Sequence, residues 1–360
     1  MPSIELKSFH IKNYKGIIDT KVENIPSDTQ WIFLTGENGI GKTSVLQALA
    51  KWEKLNNTMK NFRAVVDTLS KIEFWEKKRP KQSQIVGYGS TRLRVSAGSA
   101  IEVMEKYSST ESLFSNEALL VNIEENFKDW KTNYPKGYKQ LENIFKTLIP
   151  RLAKIEVSVD EKSKRNKIEY YELDEQGNIL DGCVELTSLA TGYRNILGMI
   201  GDMIIRLTRE AVPEDLSSLE GVVLIDEFEL YLHSKYQKLF VEKLTELFPK
   251  IQFIVSTHSP IPLLGAPANS VIINVTRTKE EGIQAKLLDI DFSVLTPNTI
   301  LSSPIFGFQD LIPDSKSNDK MIRTEDTYKE VLFHDQLDKQ IDEFLTDDRK
   351  QELLDLLKEK

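Results

Sequence analysis

Gly36-Glu37-Asn38-Gly39-Ile40-Gly41-Lys42-Thr43 is a complete G-x-x-x-x-G-K-[ST] phosphate-binding loop. The residues on either side give it the context the motif needs. Trp31-Ile32-Phe33-Leu34 reads as a buried strand, and Ser44-Val45-Leu46-Gln47-Ala48-Leu49-Ala50 opens a helix. Glycines in such a loop let backbone N–H groups turn onto phosphate oxygens, and the helix N-terminus adds its positive end. Gly36, Asn38, Gly39, Gly41, Lys42, Thr43 and Ser44 are therefore the expected contacts to the phosphates of ATP. Lys42 reaches the β- and γ-phosphates in this reading, and the Thr43 hydroxyl ligates Mg²⁺.

The composition is that of a folded, water-facing protein. The 360 residues, 40% of them hydrophobic, suffice for one large α/β domain with an insertion or for two modest domains. No apolar run approaches the ~20 residues of a membrane span, and Met1-Pro2-Ser3-Ile4-Glu5 has neither the charged nor the apolar region of a signal peptide. Cys183 is the single cysteine, which excludes an intrachain disulfide and a cysteine-built metal site. These features predict a cytoplasmic protein with no membrane partner. The formal charge of −8 argues against polyanion binding by the bulk field. A local basic run, Lys51, Lys54, Lys60, Arg63, Lys71, Lys77, Lys78, Arg79 and Lys81, fits either a face that tracks nucleic-acid phosphates or a solvated helix surface.

Outward from the loop, residues 4–34 read as β-rich with a bend at Gly16. Residues 51–150 read as helical with interruptions at Pro80 and Pro135, except for a strand and glycine turn at Gln84-Ile85-Val86-Gly87-Tyr88-Gly89-Ser90-Thr91-Arg92. Residues 155–159 and 168–173 alternate as hairpin strands, and a helix is predicted over 195–207. Residues 221–225 and 251–255 are apolar strands of the kind buried on both faces of a parallel sheet. The predicted organisation is an ATPase core of 1–50 and 180–275, an inserted helical lobe and hairpin region at 51–179, and a C-terminal extension at 276–360 ending in acidic helices. That last stretch suits a helix packed on its own domain as well as an arm for a partner.

Two of the buried strands end in polar groups. Val222-Val223-Leu224-Ile225 runs into Asp226-Glu227 where a sheet's C-terminal edge meets the phosphates, so Asp226 can hold the Mg²⁺ shell while Glu227 faces the attacking water. Residues 251–255 run into Ser256-Thr257-His258-Ser259-Pro260, which puts His258 in reach of a γ-phosphate oxygen. Glu227, His258 and Lys42 are the expected catalytic set.

The phosphate loop, Ile225-Asp226-Glu227 with Glu229 and Leu232-His233 after it, and Ser256-Thr257-His258-Ser259-Pro260 together resemble the ABC-type ATPase heads of the RecF/SMC/OLD group. More narrowly they resemble compact bacterial phage-defence ATPases of the Septu type. The likeness covers residues 4–50 and 180–275, with a weaker echo at 87–92. It implies a P-loop NTPase of α/β class, an ABC-ATPase-like head with a mixed sheet, a β-rich N-terminal part and a helical lobe. It also implies a signature that meets the other subunit's ATP, matched here by Leu189-Ala190-Thr191-Gly192-Tyr193-Arg194. Ala190 departs from the family's serine, which removes one charge-assisted hydrogen bond unless Thr191 or Ser188 replaces it. By the same resemblance Asn13 and Lys15 contact nucleotide, although a simple β-turn explains that segment equally. Gln84 stands for the family's metal-water glutamine, with Gln82 two positions away.

Residues 51–188 carry no heptads for a long coiled coil. Asp289 and Asp291 lack the third carboxylate that a metal-dependent nuclease domain requires. The expected molecule is thus an ATP- and Mg²⁺-dependent switch that dimerises with itself and regulates a separately encoded effector such as a nuclease. The alternative is a RecF/SMC-like ATPase of repair or recombination that grips DNA, and a third reading is a nucleotide-binding subunit with no nucleic-acid role.

Overall fold

A computed structural model describes residues 4–58, 71–75, 84–92, 94–159, 166–209, 212–290 and 306. All lie in the unit Met1–Gly307. In chain order the elements are β1 (Glu5–Tyr14), β2 (Ile17–Val22), β3 (Trp31–Thr35), α1 (Lys42–Thr58), β4 (Lys71–Trp75), β5 (Ile85–Tyr88), α2 (Ala100–Lys106), α3 (Glu124–Asn133) and α4 (Pro135–Leu148). They continue with β6 (Leu152–Val159), β7 (Asn166–Glu172), α5 (Thr191–Leu207), β8 (Gly221–Ile225), α6 (Ser234–Leu247), β9 (Ile251–Ser256), β10 (Val271–Thr278) and β11 (Gly282–Leu287).

Nine strands form one mixed sheet in the order β4-β1-β2-β11-β10-β3-β9-β8-β5, and β6 pairs with β7 as a separate hairpin. From β10 to β5 the neighbours are parallel, and from β10 to β4 they are antiparallel. Every residue of β3, β5, β8 and β9 is buried, which is why these strands read as unbroken apolar runs. The period of two then sorts their side chains into two cores. Ile32, Leu34, Val222, Leu224 and Ile254 pack with Val45, Leu46 and Leu49 of α1. Trp31, Phe33, Val223, Ile225, Phe253 and Val255 face the other way, toward α4, α5 and α6. There Trp31 stacks on Phe33 and Phe253 with ring centroids 5.7 and 4.5 Å apart. Each such side chain contributes about 1.5–3 kcal/mol by its removal from water.

The helical reading of 51–150 is corrected at β4, where Lys71-Ile72-Glu73-Phe74-Trp75 pairs antiparallel with β1. Alternation is short there and charges interrupt it, so the pairing partner decides the conformation. Sheet membership also crosses the expected boundaries: β4 and β5 come from within 51–179, and β11 from 276–360. Pro135 opens α4 at its first position, where a missing N–H costs nothing. Helix α5 begins at Thr191 and not at Asn195, because Arg194 N–H already bonds to the Ala190 carbonyl. The basic residues Lys60, Arg63, Lys77, Lys78, Arg79 and Lys81 lie outside the described residues, as do Asp291 and the acidic stretch from 325.

Candidate nucleotide site

The phosphate loop leaves the C-terminal end of β3 and closes into α1. Gly36 has φ 137°, and a Cβ there would collide with the Val275 carbonyl oxygen, so only glycine fits. Asn38 and Gly39 are exposed at the rim, Ser44 is half-buried in the first turn of α1, and Lys42 is buried. Lys42 Nζ donates to the carbonyls of Gly36 and Glu37, both at 2.8 Å, and lies 3.1 Å from His258 Nδ1. Burial pushes the Lys42 ammonium down to about 8, opposed by Glu229, Asp226 and Glu227. Burial, together with Lys42, also lowers the His258 imidazole, which favours its neutral form.

Asp226 and Glu227 follow β8, side by side with that loop. Thr43 Oγ1 donates to Asp226 Oδ2 at 2.8 Å, and Ser256 Oγ donates to Asp226 Oδ1 at 2.6 Å. The first pair fits Mg²⁺: octahedral ligands at 2.0–2.1 Å stand roughly 2.9 Å apart along an edge. Two protein oxygens also suit an ion that takes its remaining ligands from phosphate and water. Glu227 is half-buried and has φ 50°, a left-handed backbone that costs of order 1–3 kcal/mol for a residue with a Cβ. Ser256 accepts the Glu227 N–H at 2.8 Å, and the Phe228 N–H reaches the Ser256 carbonyl at 2.9 Å. Glu229 Oε1 accepts the His258 N–H at 2.7 Å, which ties the ends of β8 and β9 together.

The Asn13–Gly16 turn lies beside the loop. Asn13 and Lys15 are exposed with φ of 50° and 43°, and Lys15 Nζ donates to Gln47 Oε1 on α1 at 2.6 Å. Ile283, whose N–H donates to the Gly16 carbonyl, packs against Gly41. Leu189 is buried, whereas Ala190 and Thr191 are exposed at the start of α5. A Cβ on Gly192 would come within 2.6 Å of the Tyr231 carbonyl oxygen. Gly192 thus lets α5 approach the segment after Asp226-Glu227.

Gln84 is not in the site. It precedes β5, whose Ile85 pairs with Val222 and whose Tyr88 pairs with Ile225, so it sits at the N-terminal edge of the sheet. Asp226 lies at the opposite edge, five residues on in this register and so roughly 16 Å along the strand at 3.3 Å per residue. The spacing to the glycine turn misled because the parallel register with β8 is a tertiary fact. What β5 delivers to the site is its C-terminal end: the Tyr88 carbonyl accepts the Asp226 N–H at 2.8 Å, and Arg92 follows. The parts played by Arg92, Ser256 and Glu229 escaped the sequence reading. The only signal was their place in the quoted 87–92, 227–233 and 256–260 motifs.

The fold and this site define an ABC-ATPase-like head of the P-loop NTPase class. The family model described as AAA ATPase domain matches residues 99–261. The chain is similar to Septu protein PtuA of Bacillus mycoides, 26% identical over 344 residues that cover 86% of this chain and 46% of that protein. It is also similar to a Retron Vc95 probable ATPase of Vibrio cholerae, 34% identical over 118 residues that cover 32% of this chain and 21% of that protein. The chain thus spans less than half the length of these curated relatives. An SMC head solved bound to the C-winged helix domain of ScpA aligns with 80% of this chain and 98% of its own, at 14% identity and TM-score 0.47. The resemblance read from the motifs to Septu-type ATPases agrees with the similarity to PtuA, to the retron probable ATPase and to the AAA ATPase domain model. No helix among the described residues is long and apolar enough to cross a membrane.

Proposed function

We propose that this chain binds ATP with Mg²⁺, hydrolyses it to ADP and phosphate, and uses the cycle as a switch acting on a separately encoded effector in bacterial phage defence. The observation that carries the hydrolytic part is the convergence of Thr43, Asp226, Glu227, Lys42 and His258 at one sheet edge, with Thr43 bonded to Asp226 and Lys42 beside His258. The similarity to a Septu protein and to a retron ATPase supports the defence role. Thr43 and Asp226 would hold Mg²⁺, which when bound offsets phosphate charge.

Lys42, which bonds to the carbonyls of Gly36 and Glu37 and lies beside His258, donates to the β- and γ-phosphate oxygens of bound ATP. Glu227 accepts the proton of the attacking water as the water oxygen bonds to γ-phosphorus and the bond to the β,γ-bridging oxygen breaks. Neutral His258 donates to the developing charge on the γ-phosphoryl oxygens. Asn13 and Lys15, on the turn beside the loop, complete the nucleotide contacts from the N-terminal strands. Thr191 and Gly192 at the start of α5, seated by the buried Leu189 before them, face the nucleotide of a second copy. Since groups supplied in trans are worth roughly 10³–10⁵ in rate for related phosphoryl transfers, turnover is gated by association.

The test compares Glu227→Gln with Lys42→Ala. Glu227→Gln is expected to bind a fluorescent ATP analogue like the wild type while phosphate release drops at least a hundredfold. Lys42→Ala is expected to lose binding. Normal phosphate release by Glu227→Gln would remove Glu227 from the mechanism.

A further inference from the structure

Arg92 is almost wholly buried, at 1% exposure, although it is not part of any ion pair the motifs foresee. Its guanidinium is spent on backbone carbonyls. Nη1 donates to Gly89 at 3.1 Å and to Asp226 at 2.6 Å, and Nη2 donates to Glu227 at 2.8 Å and to Phe228 at 3.4 Å. Three of the four acceptors are consecutive, and the middle one belongs to the residue with φ 50°. A left-handed residue turns its carbonyl away from the direction a continuing strand would give it, so that carbonyl needs a donor from outside the ladder. Only a planar fork with several N–H groups on a single plane can collect neighbouring carbonyls that diverge in this way. On the other flank Ser256 Oγ accepts the Glu227 N–H. Glu227 is thus held at both its N–H and its C=O, and the direction of its Cα–Cβ bond follows from its backbone.

Farther along, Leu230 N–H returns to the Glu227 carbonyl at 3.0 Å, and the Tyr231 hydroxyl reaches the Ser90 carbonyl at 3.4 Å. Residues 89–92 and 226–231 therefore form one bonded unit. Burial lowers the Arg92 guanidinium to about 10, with Tyr231, Asp226, Glu229 and Glu227 opposing, so it stays charged at neutral pH.

We infer that Arg92 is a positioning residue for hydrolysis: by gripping the carbonyls of Asp226, Glu227 and Phe228 it sets the backbone that aims the Glu227 carboxylate at the attacking water. This rests on the hydrolytic reading of the site above. The action of Arg92 passes entirely through Glu227.

The experiment measures single-turnover phosphate release and nucleotide affinity for the full chain as wild type, Arg92→Lys, Glu227→Gln and the double variant. Lysine keeps the charge and loses the fork. A misaimed base costs on the order of 10²-fold in rate. Arg92→Lys is expected to lose about that factor while its affinity for a fluorescent ATP analogue stays within about threefold of wild type. The double variant is expected to be no slower than Glu227→Gln alone, because the residue through which Arg92 acts is already gone. A merely structural arginine would lower affinity together with rate, and would slow the Glu227→Gln background further. Either pattern, or a wild-type rate in Arg92→Lys, overturns the inference. Should Arg92→Lys fail to fold, Arg92→Gln is measured in the same way, and failure of both shows a requirement of the fold and overturns it too. A wild type no faster than Glu227→Gln would instead sink the hydrolytic reading, and this inference with it.

Discussion

Gly36 shows how narrowly the site is specified at single positions. Its φ of 137° and the Val275 carbonyl facing its absent Cβ are two separate barriers to any other residue. Gly36→Ala is expected to destabilise the fold by about 1–3 kcal/mol, as overpacking does, and to weaken nucleotide binding because the carbonyl that anchors Lys42 moves. Thermal melting and titration of a fluorescent ATP analogue check the two effects, and an unchanged affinity would show that the loop absorbs the strain. The phosphate-loop glycines, Lys42, Thr43, Asp226, Glu227 and His258 were legible in the sequence because each belongs to a short motif whose chemistry is local. Arg92 was not legible in its role. Its partners lie 134 to 136 residues away, except for the Gly89 carbonyl, and they are backbone atoms with no sequence signature.

Helix α5 packs on the sheet through an apolar face and adds a buried polar attachment to it. Asp202 accepts the Tyr88 hydroxyl at 2.8 Å, the Val121 N–H at 2.7 Å and Arg206 Nε at 2.9–3.0 Å, all away from water. Tyr88 also gives its carbonyl to the Asp226 N–H, so one residue of β5 touches both α5 and the carboxylate end of β8. Tyr88→Phe removes a hydrogen bond to a buried carboxylate and is expected to cost about 1.5–3 kcal/mol. The loss should appear in denaturant midpoints with ATP affinity little changed, since the backbone contact to Asp226 survives. A comparable fall in affinity would show that α5 and the nucleotide site are more tightly joined than a single backbone bond. The sequence reading found α5 but began it four residues late, because Leu189–Arg194 matches a signature that precedes the helix.

Across the whole molecule the predicted consequence is assembly. In the proposed cycle ATP joins two copies, each offering the exposed start of its α5 to the other's phosphate loop. Glu227→Gln with ATP and Mg²⁺ is expected to sediment as a dimer, and the same protein without nucleotide, or with EDTA, as a monomer. Equal sedimentation in all three conditions would remove ATP from the control of assembly. Ala190, exposed where the family's serine would stand, makes restoration of that hydroxyl by Ala190→Ser a natural comparison in the same experiment. The sequence by itself determined the chemistry class: a phosphate loop between a strand and a helix, and two apolar strands ending in Asp226-Glu227 and His258, are local patterns of period and residue type. The tertiary structure alone decided which strands share the sheet, that Gln84 stands at the far edge, and that Arg92 and Ser256 grip Glu227. Strand order and register depend on pairings between residues up to more than two hundred positions apart, and those energies belong to contacts that no window of sequence contains.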